Sequence, residues 1–427
     1  MLLRNLAVLL ALLPLGLGAA HGQLRGHGGP VRALAISPDG KIAVSGSFDT
    51  AAIIWSLQRS TAEQVLRFHD GAVNAVAVLS DGDIATAGAD ARIALWRRGE
   101  QAPHQVLEGH TAPIAGLSVA PDGRMLASAS WDQTVRLWRL ADGAAQVLTG
   151  HQQNVNAVAF LPDGNAVVSA GYDATLRIWP LSGAAAPIIV TLPTPLNAVA
   201  VAPDGEIVCA GADGKLYFVS AAGERRATMA ALDSPVTALA ISPNGSLVAA
   251  AGSRGDVVIV ARRDRRIAHT LVGPGSPVWS AAFLPDNRTL LTGGADRVIR
   301  RWNAATGQPI DAVAAGGAAD PLVAYAGDPG AQVFRACVAC HTLRPDQGPR
   351  AGPTLFRIMG RRIATLPGYN FSPALKKLDI TWTPETVAKL FEIGPATYTP
   401  GTKMPEQRIT SASDRAALVQ FLDKATR

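Results

Sequence analysis

Between Leu24 and Trp302 the chain repeats one alternation of apolar and polar positions seven times: a short apolar run, a turn, a second run, a tight turn carrying Asp, and a third run ending near Trp. Short runs rich in Val, Ile and Ala, bounded by Gly, Pro, Asp and Asn, predict strands rather than helices. The first turn of each unit has Pro-Asp-Gly character, as in Ser37-Pro38-Asp39-Gly40, Ala120-Pro121-Asp122-Gly123 and Ser242-Pro243-Asn244-Gly245. Pro presets φ there and Asp-Gly accepts positive φ, so each turn predicts a hairpin. The third runs end at Trp55, Trp96, Trp138, Trp179, Val219, Val260 and Trp302, at spacings of 41, 42, 41, 40, 41 and 42 residues.

A period near 41 with three or four short strands per unit is that of a β-propeller blade, and seven such units close a ring. The unit resembles the WD repeat. Gly26-His27, Gly109-His110 and Gly150-His151 match its Gly-His element, and Phe68-His69 is a variant of it. Asp49, Asp90, Asp132, Asp173, Asp213 and Asp296 each fall six residues before the Trp position. The resemblance implies that the His and Asp of one blade share a buried hydrogen-bond network with the Trp, which makes His27, His69, His110 and His151 structural. Blades five and six lack the His and the Trp, and Arg254 stands in place of the Asp in blade six, so these two are expected to be less rigid or specialised for contact. Two segments compete to supply the outer strand of the last blade, His21 to Gly26 and Gln308 to Ala314. The remaining propeller histidines, His21, His104 and His269, form no converging set, so the propeller reads as an interaction surface. Cys209 reads as a buried free thiol, and the run Arg262, Arg263, Arg265 and Arg266 as a solvated outer turn.

Met1 to Ala20 has one basic residue at Arg4, an apolar stretch from Leu6 to Leu17 and a small-residue end, the layout of a secretory signal peptide. Export to the periplasm is therefore expected, with no membrane span after cleavage. Charged residues make up 17% of the chain and hydrophobic ones 48%, which excludes a disordered chain and a multi-span membrane protein. Residues 1–327 carry 25 Lys+Arg and 25 Asp+Glu, whereas residues 328–427 carry 14 and 8, so the whole net charge of +6 sits in the last hundred residues. A basic tail domain suits an acidic protein partner or an anionic surface. Export and a neutral propeller argue against nucleic acid.

Residues 315–329 have linker composition, small and rich in Gly and Pro, and Cys337-Val338-Ala339-Cys340-His341 follows. Two thiols two residues apart can each add to one vinyl group of haem, with the adjacent His beneath the iron. No second Cys pair completes a Cys-rich zinc site. Around this motif the last hundred residues resemble class I cytochrome c of the mitochondrial type. The matching pieces are Gly330 and Phe334, Gly352-Pro353-Thr354-Leu355, Gly360-Arg361, Gly368-Tyr369, Ile380-Thr381-Trp382, Tyr398 to Met404 and the run Arg415 to Thr426. The resemblance implies one haem c, attached through Cys337 and Cys340, with His341 and Met404 as the metal ligands; Met359 matches a core hydrophobe. It implies that the Pro353 carbonyl accepts the imidazole N–H of His341, that Arg361, Tyr369, Trp382 and Thr402 surround the propionates, and that Gly330 and Phe334 pack on Leu418 and Phe421. Two positions depart from the family. Leu390 or Phe391 stands where a Tyr caps the Met sulfur, and Phe371 replaces a second Tyr at the haem edge.

The expected fold is multidomain: a signal peptide at 1–20, an all-β seven-bladed propeller at 21–314, a linker at 315–329 and a small all-α cytochrome c domain at 330–427. The expected function is that of an exported electron carrier rather than an enzyme, whose propeller docks an acidic redox protein or a membrane redox complex. Two alternatives stand beside it: a haem enzyme, peroxidase-like or another oxidoreductase, in which Met404 is labile or the propeller holds a substrate, and a redox-sensing scaffold.

Overall fold

A computed structural model of the protein describes residues 23–182, 185–273, 275–310, 322–404 and 406–427. The expected signal peptide lies outside the described residues. The described strands form seven antiparallel four-stranded sheets, the blades of a propeller. Blade 1 runs Val31–Ile36, Ile42–Ser47, Ala51–Ser56 and Thr61–Arg67, and the inner strands of blades 2 to 7 start at Val73, Ile114, Val155, Leu196, Val236 and Val278. Second strands such as Ile42–Ser47 and Ala166–Gly171 are buried at every position, as expected of strands packed on both faces.

Both candidate segments contribute to closing the ring. Leu24–Arg25 pairs with Ile299 and Val298 in the last blade, and at the other end of the same strand Ile310 N–H donates to the Arg301 carbonyl. A two-residue strand covers only a third of a six-residue edge, and the chain leaving the propeller pairs with the other end through Pro309 and Ile310.

Four blades are built around one buried polar network. In blade 3 the His110 ring lies 2.7 Å from Asp132 through Nδ1 and 2.7 Å from the Ser128 hydroxyl through Nε2, and the Trp138 indole N–H donates to the same hydroxyl at 2.8 Å. Ser45, Thr86 and Ser169 hold the same place in blades 1, 2 and 4. Every polar atom of such a network has a partner, so burying it fixes the blade without leaving an orphaned group. Burial alone would raise the Asp49, Asp90, Asp132 and Asp173 carboxyls, but converging His, hydroxyl and N–H donors hold all four below the usual carboxylate range. Burial also lowers the His151 imidazole. A depressed carboxyl stabilises the fold above its unfolded value and loses that contribution as pH falls; a depressed imidazole stabilises the fold above about pH 6.5. The propeller melting temperature is therefore expected to slip as pH drops below about 6.5 and to fall steeply below about pH 4. A midpoint that stays level by calorimetry from about pH 7 to about pH 3 would contradict this network.

Blades 5 and 6 replace the network with apolar packing. Val208, Leu216, Phe218, Val248, Val258 and Val260 form one buried cluster across them, and the Tyr217 hydroxyl donates to Asp213 at 2.5 Å. Of the Arg262 run, Arg263 and Arg266 are exposed as expected, but the other two are paired: Arg262 with Glu206 at 2.7 Å and with Asp204 at 2.5 Å, and Arg265 with Glu206 at 2.5 Å, the Arg265 guanidinium lying 3.7 Å from the centre of the Phe218 ring. These arginines tie blade 6 to blade 5 where the His–Asp network is missing. Cys209 is fully buried, and burial pushes its thiol up to about 12.

The C-terminal part is helical: α1 (Pro329–Phe334), α2 (Pro373–Lys376), α3 (Pro384–Ile393), α4 (Pro395–Tyr398) and α5 (Ala412–Ala425). Asp328, Ser372, Thr383 and Ser411 cap α1, α2, α3 and α5, and each of the first four helices begins with Pro, whose missing N–H costs nothing there. Helix α1 crosses α5 where Gly330 has no side chain; a Cβ there would stand 2.1 Å from the Ala417 carbonyl oxygen and 2.5 Å from Phe421 Cβ. Phe334, Leu418, Phe421 and Leu422 share one buried core with Leu343, Leu355, Val387, Leu390 and Phe391. Part of the expected linker lies outside the described residues. From Leu322 onward the chain packs on this core, Leu322 being buried and Tyr325 standing edge-on to Phe421 at 5.1 Å. Among the described residues, no helix is long and apolar enough to cross a membrane.

Candidate functional site

A cavity of about 440 Å³ opens in the helical part, and all nine site residues singled out from the sequence line it: Cys337, Cys340, His341, Pro353, Arg361, Tyr369, Trp382, Thr402 and Met404. Helix α1 ends in a turn that carries the first three of these. Cys337 N–H donates to the Phe334 carbonyl at 2.8 Å, and the Cys337 carbonyl accepts from Cys340 N–H at 3.1 Å and His341 N–H at 2.9 Å. A turn so closed holds two thiols and one imidazole in a fixed relation.

His341 donates through Nδ1 to the Pro353 carbonyl at 2.7 Å, which sets the tautomer and leaves Nε2 as the nitrogen with a free lone pair. Gly352 makes room for that ring, since a Cβ there would stand 2.6 Å from His341 Cε1. Burial pushes the imidazole below its ordinary value, outweighing the Pro353 carbonyl, so the neutral, ligating form is favoured at neutral pH. Burial pushes the Cys337 thiol up to about 12 and the Cys340 thiol up to about 11, and neither is in a disulfide. Among the described residues, no group of three His, Cys, Asp or Glu side chains is placed to hold a metal ion.

Leu355, Ile358, Val387, Leu390, Phe391, Leu418 and Leu422 complete the apolar wall. Leu390 and Phe391 are both buried there, so no hydroxyl from α3 reaches the Met404 side. Met404 N–H is held by the Thr402 hydroxyl at 3.1 Å, whereas Met359 packs on the outside of the core and is not among the lining residues. Arg361 spends its donors on the Thr354 and Phe356 carbonyls at 3.0 and 3.2 Å, and the Tyr369 hydroxyl donates to the Ala351 carbonyl at 2.9 Å. A flat apolar group bearing two vinyl arms, with an imidazole nitrogen and a thioether sulfur available as axial ligands, fits the chemistry of this donor set.

The propeller supplies the rest of the wall, which the sequence did not indicate: Asp49, Thr50, Ala51, Arg67, Phe68 and Asp70 also line the cavity. Contact with the helical part thus falls on blades 1 and 2 rather than on blades 5 and 6. Gly26 accepts from Ala351 N–H at 3.1 Å, Lys403 bonds the His69 carbonyl and pairs with Asp70 at 3.5 Å, and a Cβ at Gly28 would stand 2.1 Å from Cys340 Sγ.

The sequence profile described as WD domain, G-beta repeat, matches residues 19–56, 60–97, 101–139, 144–180, 223–260 and 265–303, more than half of the chain. It passes over blade 5, where the His and Trp are replaced but the four strands remain. The chain is also 38% identical over 99 residues to cytochrome c2 of Rhodomicrobium vannielii, covering 23% of this chain and 78% of that protein. It is 35% identical over 99 residues to cytochrome c of Arabidopsis thaliana, covering 23% and 88%, and 37% identical over 98 residues to cytochrome c type-1 of Ascaris suum, covering 22% and 84%. The chain therefore belongs to the WD-repeat family through its propeller and, over 99 of its residues, to the cytochrome c family.

Proposed function

We propose that the chain is an exported c-type cytochrome that carries single electrons, with its propeller as the docking module for a redox partner. The observation that carries this reading is that Cys337, Cys340, the oriented His341 and Met404 line one apolar cavity in a chain that belongs to the cytochrome c family. Cys337 and Cys340 would hold haem c there, and it would supply an iron that changes oxidation state by one electron. His341 holds its Nε2 toward the cavity because its Nδ1 is committed to Pro353, and Met404 offers sulfur from a loop fixed by Thr402. Leu355, Leu390 and Phe391 exclude water, which limits reorganisation when charge changes. If His341 and Met404 both held the iron, no open site would remain for a small molecule, which would favour electron transfer. A WD-repeat propeller suggests protein interaction, and an acidic redox protein or a membrane redox complex suits the basic C-terminal hundred residues. The N-terminal segment supports delivery to the periplasm, where c-type haem is attached.

The test is expression in a host that matures c-type cytochromes. A haem-stained band that survives denaturing electrophoresis in the periplasmic fraction is expected; a stained band confined to the cytoplasm would remove the export part, and no stained band the cytochrome part. Gly352→Val is expected to drive the His341 ring off the Pro353 carbonyl and to abolish the low-spin absorption of that product. An unchanged spectrum would contradict the seat assigned to His341.

A further inference from the structure

The cavity wall contributed by the propeller contains one cation whose surroundings differ from those of its neighbours. Asp49 is held by His27 at 2.9 Å and by the Gly28 and Ala51 N–H groups, and Asp70 by Arg92 at 2.6 Å and Lys403 at 3.5 Å. Both wall carboxylates are thus compensated. Arg67 is hydrogen-bonded to no carboxylate and feels Asp49 only through space: its Nε donates to the Ala351 carbonyl at 3.1 Å, its Nη2 to the Ala351 carbonyl at 3.0 Å and to the Arg350 carbonyl, its Nη1 to its own strand at Val65, and its guanidinium lies 4.0 Å from the centre of the Tyr369 ring. None of these partners is a carboxylate, and Arg67 and Tyr369 both line the cavity. The fork seats the guanidinium against the loop just before Gly352 and Pro353, which themselves position His341. A planar fork across two carbonyls and a ring face is geometry that Arg supplies and Lys does not.

We propose that Arg67, a residue of the propeller, is a positioning residue of the haem site, whose fixed charge at the cavity wall sets the balance between the oxidised and reduced forms. This rests on the cytochrome reading above. The oxidised form carries one more positive charge than the reduced form, so a cation held in a partly desolvated wall disfavours oxidation. The propeller then does more than dock a partner: it holds the potential at which the carrier gives up its electron.

The experiment is spectroelectrochemical titration of the full-length holoprotein and two variants, with hydrodynamic radius measured alongside. Arg67→Gln keeps an amide donor for the Ala351 carbonyl but removes the charge, and Arg67→Lys keeps the charge but loses the fork. At fixed ambient potential the reduced-to-oxidised ratio is expected to fall about threefold to tenfold in Arg67→Gln, tenfold being about 59 mV for one electron. In Arg67→Lys at least half of that change is restored, and the radius is the same in all three, which separates the charge from simple undocking. Arg139→Leu, at an exposed pair with Asp142, serves as the charge control and leaves the ratio unchanged. A wild-type potential in Arg67→Gln, or a potential in Arg67→Lys as low as in Arg67→Gln, overturns the proposal while the cytochrome reading stands. A wild-type chain that takes up no haem overturns both.

Discussion

Replacing both Cys337 and Cys340 with Ala is expected to give a folded protein from which acidified acetone extracts all haem, whereas the wild-type protein keeps its haem through the same treatment. The two thiols lie on one cavity wall three residues apart, in a turn closed by the Cys337 carbonyl. Burial keeps both protonated, and neither is spent on a disulfide. If haem is attached here as proposed, each thiol would add across one vinyl group, the sulfur bonding one carbon and its proton going to the other, with no oxidant needed. Each single Ala variant keeps one such bond and should resist extraction, so the complete loss belongs to the double variant. The loss is absolute because covalent attachment, not affinity, is what the treatment reads. Wild-type haem that is itself extracted would refute the attachment.

The second large effect is on folding. Phe421→Ala is expected to lower the melting transition of the helical part by roughly 15 to 30 °C while leaving that of the propeller within a few degrees. Phe421 is 1% exposed, lies 5.4 Å from the Phe334 ring and 5.1 Å from Tyr325, and abuts Gly330 at the crossing of α1 and α5. Truncating a buried Phe costs about 3 to 5 kcal/mol, a large share of the roughly 5 to 15 kcal/mol that holds a domain together. The propeller shares none of this core, its blades having clusters of their own. Two calorimetric transitions of which only one moves are the expected result. A shift of both by the same amount would mean that the two parts unfold as one unit.

What the sequence revealed, and what it concealed, follows from how far apart the interacting residues lie. The His–Asp pairs were legible because their partners sit about 22 residues apart in each blade and recur with the repeat. The hydroxyls of Ser45, Thr86, Ser128 and Ser169 were not singled out, although a Ser or Thr ten residues before each Trp was there to be read. Arg262 and Arg265 looked like a solvated run because their partners, Asp204 and Glu206, belong to another blade. Closure of the last blade was ambiguous in sequence because both segments take part. The lining of the cavity by residues of the helical part followed from motif order, but the propeller side did not. Arg67 and Ala351 are 284 residues apart, and neither belongs to a motif that would mark it. Local patterns carry local structure, while a domain interface is written in single residues with no period.

His341 and Met404 are proposed to hold a covalently bound haem from its two sides. The measurement that tests this most directly is the optical spectrum of the protein matured in a host that attaches c-type haem, oxidised and reduced, with and without carbon monoxide. A low-spin c-type spectrum that carbon monoxide leaves unchanged is the predicted result. A prompt spectral shift on adding carbon monoxide would contradict it, showing an axial position that Met404 does not hold.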